Sequence, residues 1–249
     1  MAKDFYDKLA PFYHMIFADW TQSIERQAAQ LDQVIRENWG LKVQTILDVS
    51  CGIGTQALGL AQLHYQVTAS DLSDAAVERA RQEAQRQGVV VSFSVADMCQ
   101  AYHHHQSQFD VVISCDNAVP HLLTDEDLLQ AFQQFYQCVR PGGGVLITVR
   151  DYEKEARQTQ IKLEKTRVEN GSRYILFQVW EFEGDIYEMS MYVVKDDRSG
   201  ICQTQVMRAK YYAVGTTRLL ALLKEAGFAN VKRVDGAFYQ PLLLGTKKK

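Results

Sequence analysis

Five short β-favouring runs in this chain each end on side chains able to bind a polar ligand. The runs are Thr45–Leu47, Gln66–Ser70, Val89–Val95, Phe109–Cys115 and Val145–Val149. The residues that close them are Asp48, Asp71, Asp97, the pair Asp116 and Asn117, and Arg150. The first run leads into Gly52-Ile53-Gly54 and then an apolar-periodic segment from Thr55. Strand, tight glycine turn and helix bring backbone N–H groups and a helix N-terminus up to a ligand. A carboxylate at Asp48 repels a pyrophosphate but suits a cationic amino group, directly or through water. Asp71, with Leu72 beside it, suits the two hydroxyls of a ribose. Asp97 suits an adenine amino group, with Met98 packed on the ring. Ammonium, ribose and adenine together describe S-adenosylmethionine (SAM). The rival is NAD, because Gly52 to Ala57 also fits G-x-G-x-x-A, a motif that is weak alone. A dinucleotide fold usually has an apolar residue where Asp48 stands, and no second, substrate domain is evident.

These residues need an open parallel sheet to bring them together. Periodicity predicts a helix over Gln22–Glu37, with apolar positions at Ile24, Ala28, Leu31, Val34 and Ile35. Ser73 reads as an N-cap to a helix stopped by Gly88, and Thr124 as the cap of a helix with acids in its first turn. Pro141-Gly142-Gly143-Gly144 is expected to turn the chain into the fifth strand. Alternating strands and helices imply a doubly wound, mostly parallel seven-stranded sheet, Rossmann-like. From about Gln158 to Ala213 the alternation changes to antiparallel β with breaks at EGD and DDRSG, so an insertion follows the fifth strand, laid over an edge or the mouth of the sheet. A helix over Thr217–Ala226 and strands near Val231–Val234 and Leu242–Leu244 then resume the parallel pattern. The expected organisation is an N-terminal helical cap (1–40), a ligand-binding domain (41–155 and 213–249) and an antiparallel β insertion (156–212) serving as lid, substrate surface or dimer surface.

Composition narrows the function classes. The chain has 249 residues, 47% hydrophobic, with a formal net charge of -3. That balance gives no reason to expect nucleic acid or an acidic membrane as partner. No apolar run approaches the ~20 residues that span a bilayer, and the N-terminus MAKDFYDKLAPFYHM has no signal-peptide core. Five scattered cysteines without C-x-x-C read as reduced thiols of a cytoplasmic protein. His103-His104-His105 cannot converge on one metal from a regular element and has no partner at ligand spacing, so it is read as a polar loop and no metal is expected. The tyrosines of the insertion, Tyr174, Tyr187 and Tyr192, are read as packing or forming a homo-oligomer.

The chain resembles the class I SAM-dependent methyltransferases over most of its length. LDVSCGIG is similar to their first motif, ASDLS to the second, VADM to the third, and FDVVISCDNAVPHLL with VRPGGGVLIT to later ones. Ser50 departs from the usual glycine. Within the class it resembles the glycine N-methyltransferase and glycine/sarcosine methyltransferases. Cys115 to Leu122 is similar to their G-N-S-x-x-H-L, Val149 to Tyr152 to H-R-N-Y, and Arg208 to Tyr212 to R-x-x-Y-Y. The resemblance implies a substrate pocket in which Arg150 binds a carboxylate, Asn117 lies by the amine and Tyr212 lines the wall. Asp116 replaces the family's glycine and adds a charge there. It further implies a cofactor pocket including Ser50, Gly52, Gly54, Cys115 and His121. An aromatic N-terminal segment would fold over the cofactor, with Tyr6, Tyr13 and Trp20 facing the sulfonium and Arg26 pairing with the cofactor carboxylate. His121 is weighed as a base and read instead as a backbone-bonding histidine. The expectation is therefore methyl transfer to a small molecule, foremost to the amine of a glycine- or sarcosine-like amino acid. The alternatives are O- or C-methylation of a small metabolite, and a non-catalytic SAM-binding module.

Overall fold

The computed structural model describes residues 2–249. The helix α1 (Ala2–Leu9) and a 3-10 turn (Tyr13–Ile16) precede α2 (Trp20–Trp39). Then come β1 (Thr45–Asp48), α3 (Thr55–Gln62), β2 (Gln66–Asp71), α4 (Asp74–Gln87), β3 (Val91–Val95), α5 (Ala101–His105), β4 (Phe109–Ser114), α6 (Asp125–Cys138) and β5 (Val139–Thr148). Four long strands follow: β6 (Gln160–Glu169), β7 (Ser172–Glu183), β8 (Ile186–Asp196) and β9 (Cys202–Tyr212). The chain closes with α7 (Thr216–Glu225), β10 (Ala229–Val234) and β11 (Leu242–Thr246).

The main sheet has seven strands in the order β10-β11-β5-β4-β1-β2-β3. β1 pairs parallel with both β2 and β4, so the strand order reverses there, where open α/β sheets bind ligands. All six residues of β4 are buried, as expected of a strand covered on both faces. Helix ends follow their local chemistry. Ser73 Oγ accepts from Ala76 N–H, Thr124 Oγ1 accepts from Asp127 N–H, and Gly88 stops α4 in the left-handed region. Gly59 of α3 brings that helix against α2, since a Cβ there would lie 2.7 Å from both the Ile24 carbonyl and the Ala28 methyl.

Three expectations change. Pro141–Gly144 is no turn before a strand, because β5 already begins at Val139. Its pairing with β4 jumps from Phe109–Val139 to Val111–Gly144, so a bulge absorbs these residues. Gly143 lies against the Asp110 carbonyl and Gly144 against the Trp39 indole, and neither has room for a side chain. The parallel pattern does not resume after the insertion either: β11 runs antiparallel to both β5 and β10. Finally, His103 to His105 lie in α5, where His104 and His105 bond the hydroxyls of Ser94 and Ser70.

The β6–β9 meander is a separate antiparallel sheet. Its inner face carries a stacked aromatic ladder: Trp180 on Tyr187 at 4.8 Å and Tyr187 on Tyr211 at 5.1 Å, all three buried. Such pairs add about 0.5–1.5 kcal/mol each beyond their buried area. α1 packs on β9, and the 3-10 turn packs on β6. The N-terminal segment is thereby held between the meander and the carboxyl ends of the main sheet, over the crevice at the strand reversal.

Candidate active site

Two adjoining cavities open at those carboxyl ends. The first, about 150 Å³, is lined by the glycine turn from Val49 to Ile53, by Asp71 and Leu72, by Asp97 and Met98, by Cys115 and by His121. The second, about 470 Å³, is lined by Asn117, Arg150, Tyr211, Tyr239, Arg26 and residues of the N-terminal segment and meander. Tyr6, Tyr13 and Asp116 line both.

The glycine turn is locked before any ligand arrives. Gly52 (φ +51°) donates its N–H to Asp71 Oδ2 at 2.8 Å, and Ser73 N–H donates to Asp71 Oδ1 at 2.9 Å. Each Asp71 oxygen keeps acceptor capacity towards the cavity it lines. Burial raises the Asp71 pKa, against the pull of those N–H groups. A Cβ on Gly52 would stand 3.2 Å from the Tyr13 ring, so the turn and the N-terminal segment are fitted to each other. Gly54 (φ +93°) is the N-cap of α3.

Asp48 lies behind the turn, fully buried. Its Oδ1 accepts from Ser50 N–H at 3.1 Å, while Oδ2 is buried with no hydrogen-bond partner. Burial pushes its pKa up to about 7. A partnerless buried carboxylate oxygen is costly, and a cationic ligand or a bridging water relieves it. Ser50, where glycine was the usual residue, lines the cavity, and its hydroxyl bonds the Ser114 hydroxyl at 2.9 Å. Asp97 caps the turn that carries Met98, accepting from Cys99 N–H. A diol-sized acceptor at Asp71 and an apolar wall at Leu72 and Met98 fit the ribose and adenine of SAM, while Asp48 lies behind the turn and lines neither cavity.

Around the shared wall, His121 Nδ1 lies 3.2 Å from the Lys210 carbonyl and Nε2 lies 2.8 Å from the Tyr6 hydroxyl. The geometry assigns N–H donation from Nδ1 and acceptance from Tyr6 at Nε2. Burial lowers the His121 pKa to about 4, so the ring is neutral at physiological pH. It therefore positions Tyr6 and backbone, matching the backbone-bonding role read from the sequence. Burial also raises the Tyr6 and Tyr13 phenols well above their usual range, so both stay protonated.

In the larger cavity Asn117 (φ +66°) is a brace. Its amide donates to the Tyr152 hydroxyl at 2.8 Å, and its carbonyl accepts from Arg150 N–H at 2.9 Å. The Arg150 guanidinium stacks over Trp180, 4.7 Å from the ring centroid, and approaches Glu155 at 3.5 Å. Its buried Nε has no partner.

Four expected residues line neither cavity: Asp48, behind the turn, Gly54, the N-cap of α3, and Tyr212 and Trp20. Tyr212 lines neither cavity; its hydroxyl donates to Asp125 at 3.2 Å on the other side of β9. Neighbouring residues of a strand face opposite ways, and Tyr211 is the tyrosine that reaches the cavity. Trp20 lies outside both cavities as well. It packs with Ile24, Ile53 and Leu58, and its indole N–H donates to Thr55 Oγ1 at 2.9 Å, joining α2 to α3. Arg26 does line the larger cavity, next to Asp19 and Gln22. Sequence reasoning missed Tyr211, Tyr239, Gln178 and Lys165, because nothing local marks residues that only the meander and the final loop carry to the mouth.

Comparison with known proteins bears on the fold and its relatives. Residues 46–143 match the family model described as a methyltransferase domain. The glycine/sarcosine N-methyltransferase of Aphanothece halophytica is 27% identical over 43% of this chain and 41% of its own length. The ubiquinone biosynthesis O-methyltransferase of Azoarcus is 29% identical over 52% of this chain and 56% of its own. The chain thus spans about half the length of the curated relatives it matches. Among solved structures, SAM-bound CalS10, an amino pentose methyltransferase of Micromonospora echinaspora, superposes with a TM-score of 0.79 at 19% identity, covering 91% of this chain and 92% of that one. The fold is that of the class I SAM-dependent methyltransferases. The methyltransferase-domain match covers residues 46–143 only, and the structural likeness extends over the rest of the fold. No described helix is long and apolar enough to cross a membrane.

Proposed function

We propose that this protein is a SAM-dependent methyltransferase acting on a small molecule, and that its acceptor is an amine carried with a carboxylate, as in an amino acid. The observation that carries this reading is the Arg150 guanidinium lining the cavity that adjoins the cofactor site. A planar cation held by Trp180 and Glu155 is pre-set to receive a carboxylate in bidentate fashion.

Bound SAM supplies an electrophilic methyl group on a sulfonium. In this reading the chain holds it with Asp48, Asp71, Asp97 and the glycine turn, and Tyr6 and Tyr13 cover the boundary between the two cavities. Residues 1–40 act as the cap and the meander (156–212) as the far wall. Arg150 orients the acceptor, Asn117 fixes the Arg150 backbone, and Tyr211 closes the side. Placement and exclusion of water then do most of the work.

A second reading, an amine on a larger polar acceptor such as an amino sugar, draws on the cavity's size, about 470 Å³, and on its polar lining of Gln178, Gln240 and Lys165. A methyl-transfer screen over glycine, sarcosine, larger amino acids and amino sugars separates the two. Arg150→Ala is expected to raise KM for the best carboxylate substrate at least tenfold. An unchanged KM removes the clamp. Titration of the intact protein with SAM, and with Asp71→Ala as the weakened control, tests the cofactor assignment: no binding by the intact protein refutes it.

A further inference from the structure

We infer that Asp116, held by Tyr239, is the site that receives the acceptor's ammonium group and takes its proton. This rests on the methyltransferase reading above and deepens it. Among the described residues Asp116 is one of three that line both cavities, and the only charged one, so it stands where acceptor meets cofactor.

Its position is built. Asp116 and Asn117 both lie in the left-handed region, at φ +59° and +66°. Asp116 N–H donates to Thr148 Oγ1 at 2.7 Å and Asn117 N–H to the Thr148 carbonyl at 3.1 Å, so β5 pins this loop from beside it. The Tyr239 hydroxyl, from the segment before β11, donates to Asp116 Oδ1 at 2.5 Å. Among the described residues this is the one hydrogen bond to the carboxylate, and it leaves Oδ2 to a ligand.

Its charge also has no ion-pair partner among the described residues. The groups that face Asp116 are Tyr13 from the 3-10 turn, Tyr211 from β9, Tyr239, Cys115 and Arg150. The phenols and the thiol are neutral at physiological pH. Arg150 favours the Asp116 charge from a distance but makes no ion pair with it among the described residues. A ligand ammonium supplies the missing cation, while Arg150 takes a carboxylate in the same cavity.

The proton step balances on these two partners alone. An ammonium N–H bond breaks and its electron pair stays on nitrogen, while an O–H bond forms on Asp116 Oδ2. The carboxylate becomes a neutral acid and the ammonium a neutral amine with a free lone pair. Burial raises Asp116's affinity for that proton, which narrows the gap to an ammonium.

The test compares the wild type with Asp116→Asn and Tyr239→Phe, using glycine and methylammonium as probes. By calorimetry on the cofactor-free protein, Asp116→Asn should weaken both probes at least tenfold and leave the SAM dissociation constant within about threefold. In turnover, Asp116→Asn should lower kcat/KM by about 10²-fold or more. Tyr239→Phe removes a donor to the ionised form, so the acid limb of the kcat/KM profile should move up by about one pH unit. A merely structural loop would leave that limb in place. Wild-type probe affinities and an unmoved profile in both variants would overturn the inference. A wild type that binds SAM yet neither binds nor methylates glycine or methylammonium overturns the ammonium site while the cofactor site stands. A wild type that does not bind SAM overturns the methyltransferase reading; loss of probe binding in Asp116→Asn would then still support the ammonium site.

Discussion

Asp48→Asn should make the cofactor-free protein more stable at alkaline pH while damaging its function. The wild-type carboxylate is fully buried, one of its oxygens has no partner, and its pKa rises from 3.8 to about 7. A folded-state pKa raised above the unfolded one means that the native state prefers the proton. The stabilisation from that protonated form is complete below about pH 4 and is lost as pH rises through about 7. The whole shift corresponds to about 4 kcal/mol at 1.36 kcal/mol per unit, of which about 2–3 kcal/mol falls between pH 5 and pH 8.5. The asparagine keeps an acceptor for Ser50 N–H and carries no charge, so it escapes this loss. Urea denaturation of both proteins without cofactor at pH 5, 6, 7 and 8.5 reads the effect. The stability difference should grow in favour of Asp48→Asn by about 2–3 kcal/mol across that range, or about 5–10 °C in Tm. SAM affinity should move the opposite way, with the wild type binding more tightly as Asp48 ionises and the variant losing that dependence. Parallel stability curves for the two proteins would refute the argument, since they would mean that Asp48 ionises inside the fold without penalty. A site that binds a cation is here expected to be a liability in the empty protein.

Other outcomes follow from the same geometry. Gly52→Ala places a Cβ 3.2 Å from Tyr13 at a backbone φ of +51°; it should destabilise the protein by about 1–2 kcal/mol and weaken SAM binding, measured by denaturation and titration. Tyr211→Leu should impair methyl transfer tenfold or more, whereas Tyr212→Leu should leave kcat/KM within about twofold, because its hydroxyl serves only the Asp125 contact. Trp180→Ala should cost about 3–5 kcal/mol of stability. It should also raise KM for a carboxylate acceptor by releasing Arg150, which stacks on that ring.

The sequence by itself determined the strand ends and what they carry. Local rules sufficed, because hydrophobic runs mark strands, the Ser73 and Thr124 hydroxyls mark helix starts, and glycines mark the turn between β1 and α3. Only the tertiary structure decided which side chains meet. Tyr211 rather than Tyr212 faces the cavity because β9 pairs Tyr211 with Tyr187, and a one-residue change of register reverses every side chain on a strand. Trp20 faces inward because α3 offers it Thr55 and an apolar groove. Pro141–Gly144 became a bulge because Asp110 and Trp39 press on its glycines. Asp116 and Tyr239, 123 positions apart, come within hydrogen-bond distance only because β11 folds back antiparallel beside β5. Periodicity and capping act within a few residues, whereas a site at the mouth of a sheet is assembled across the whole chain.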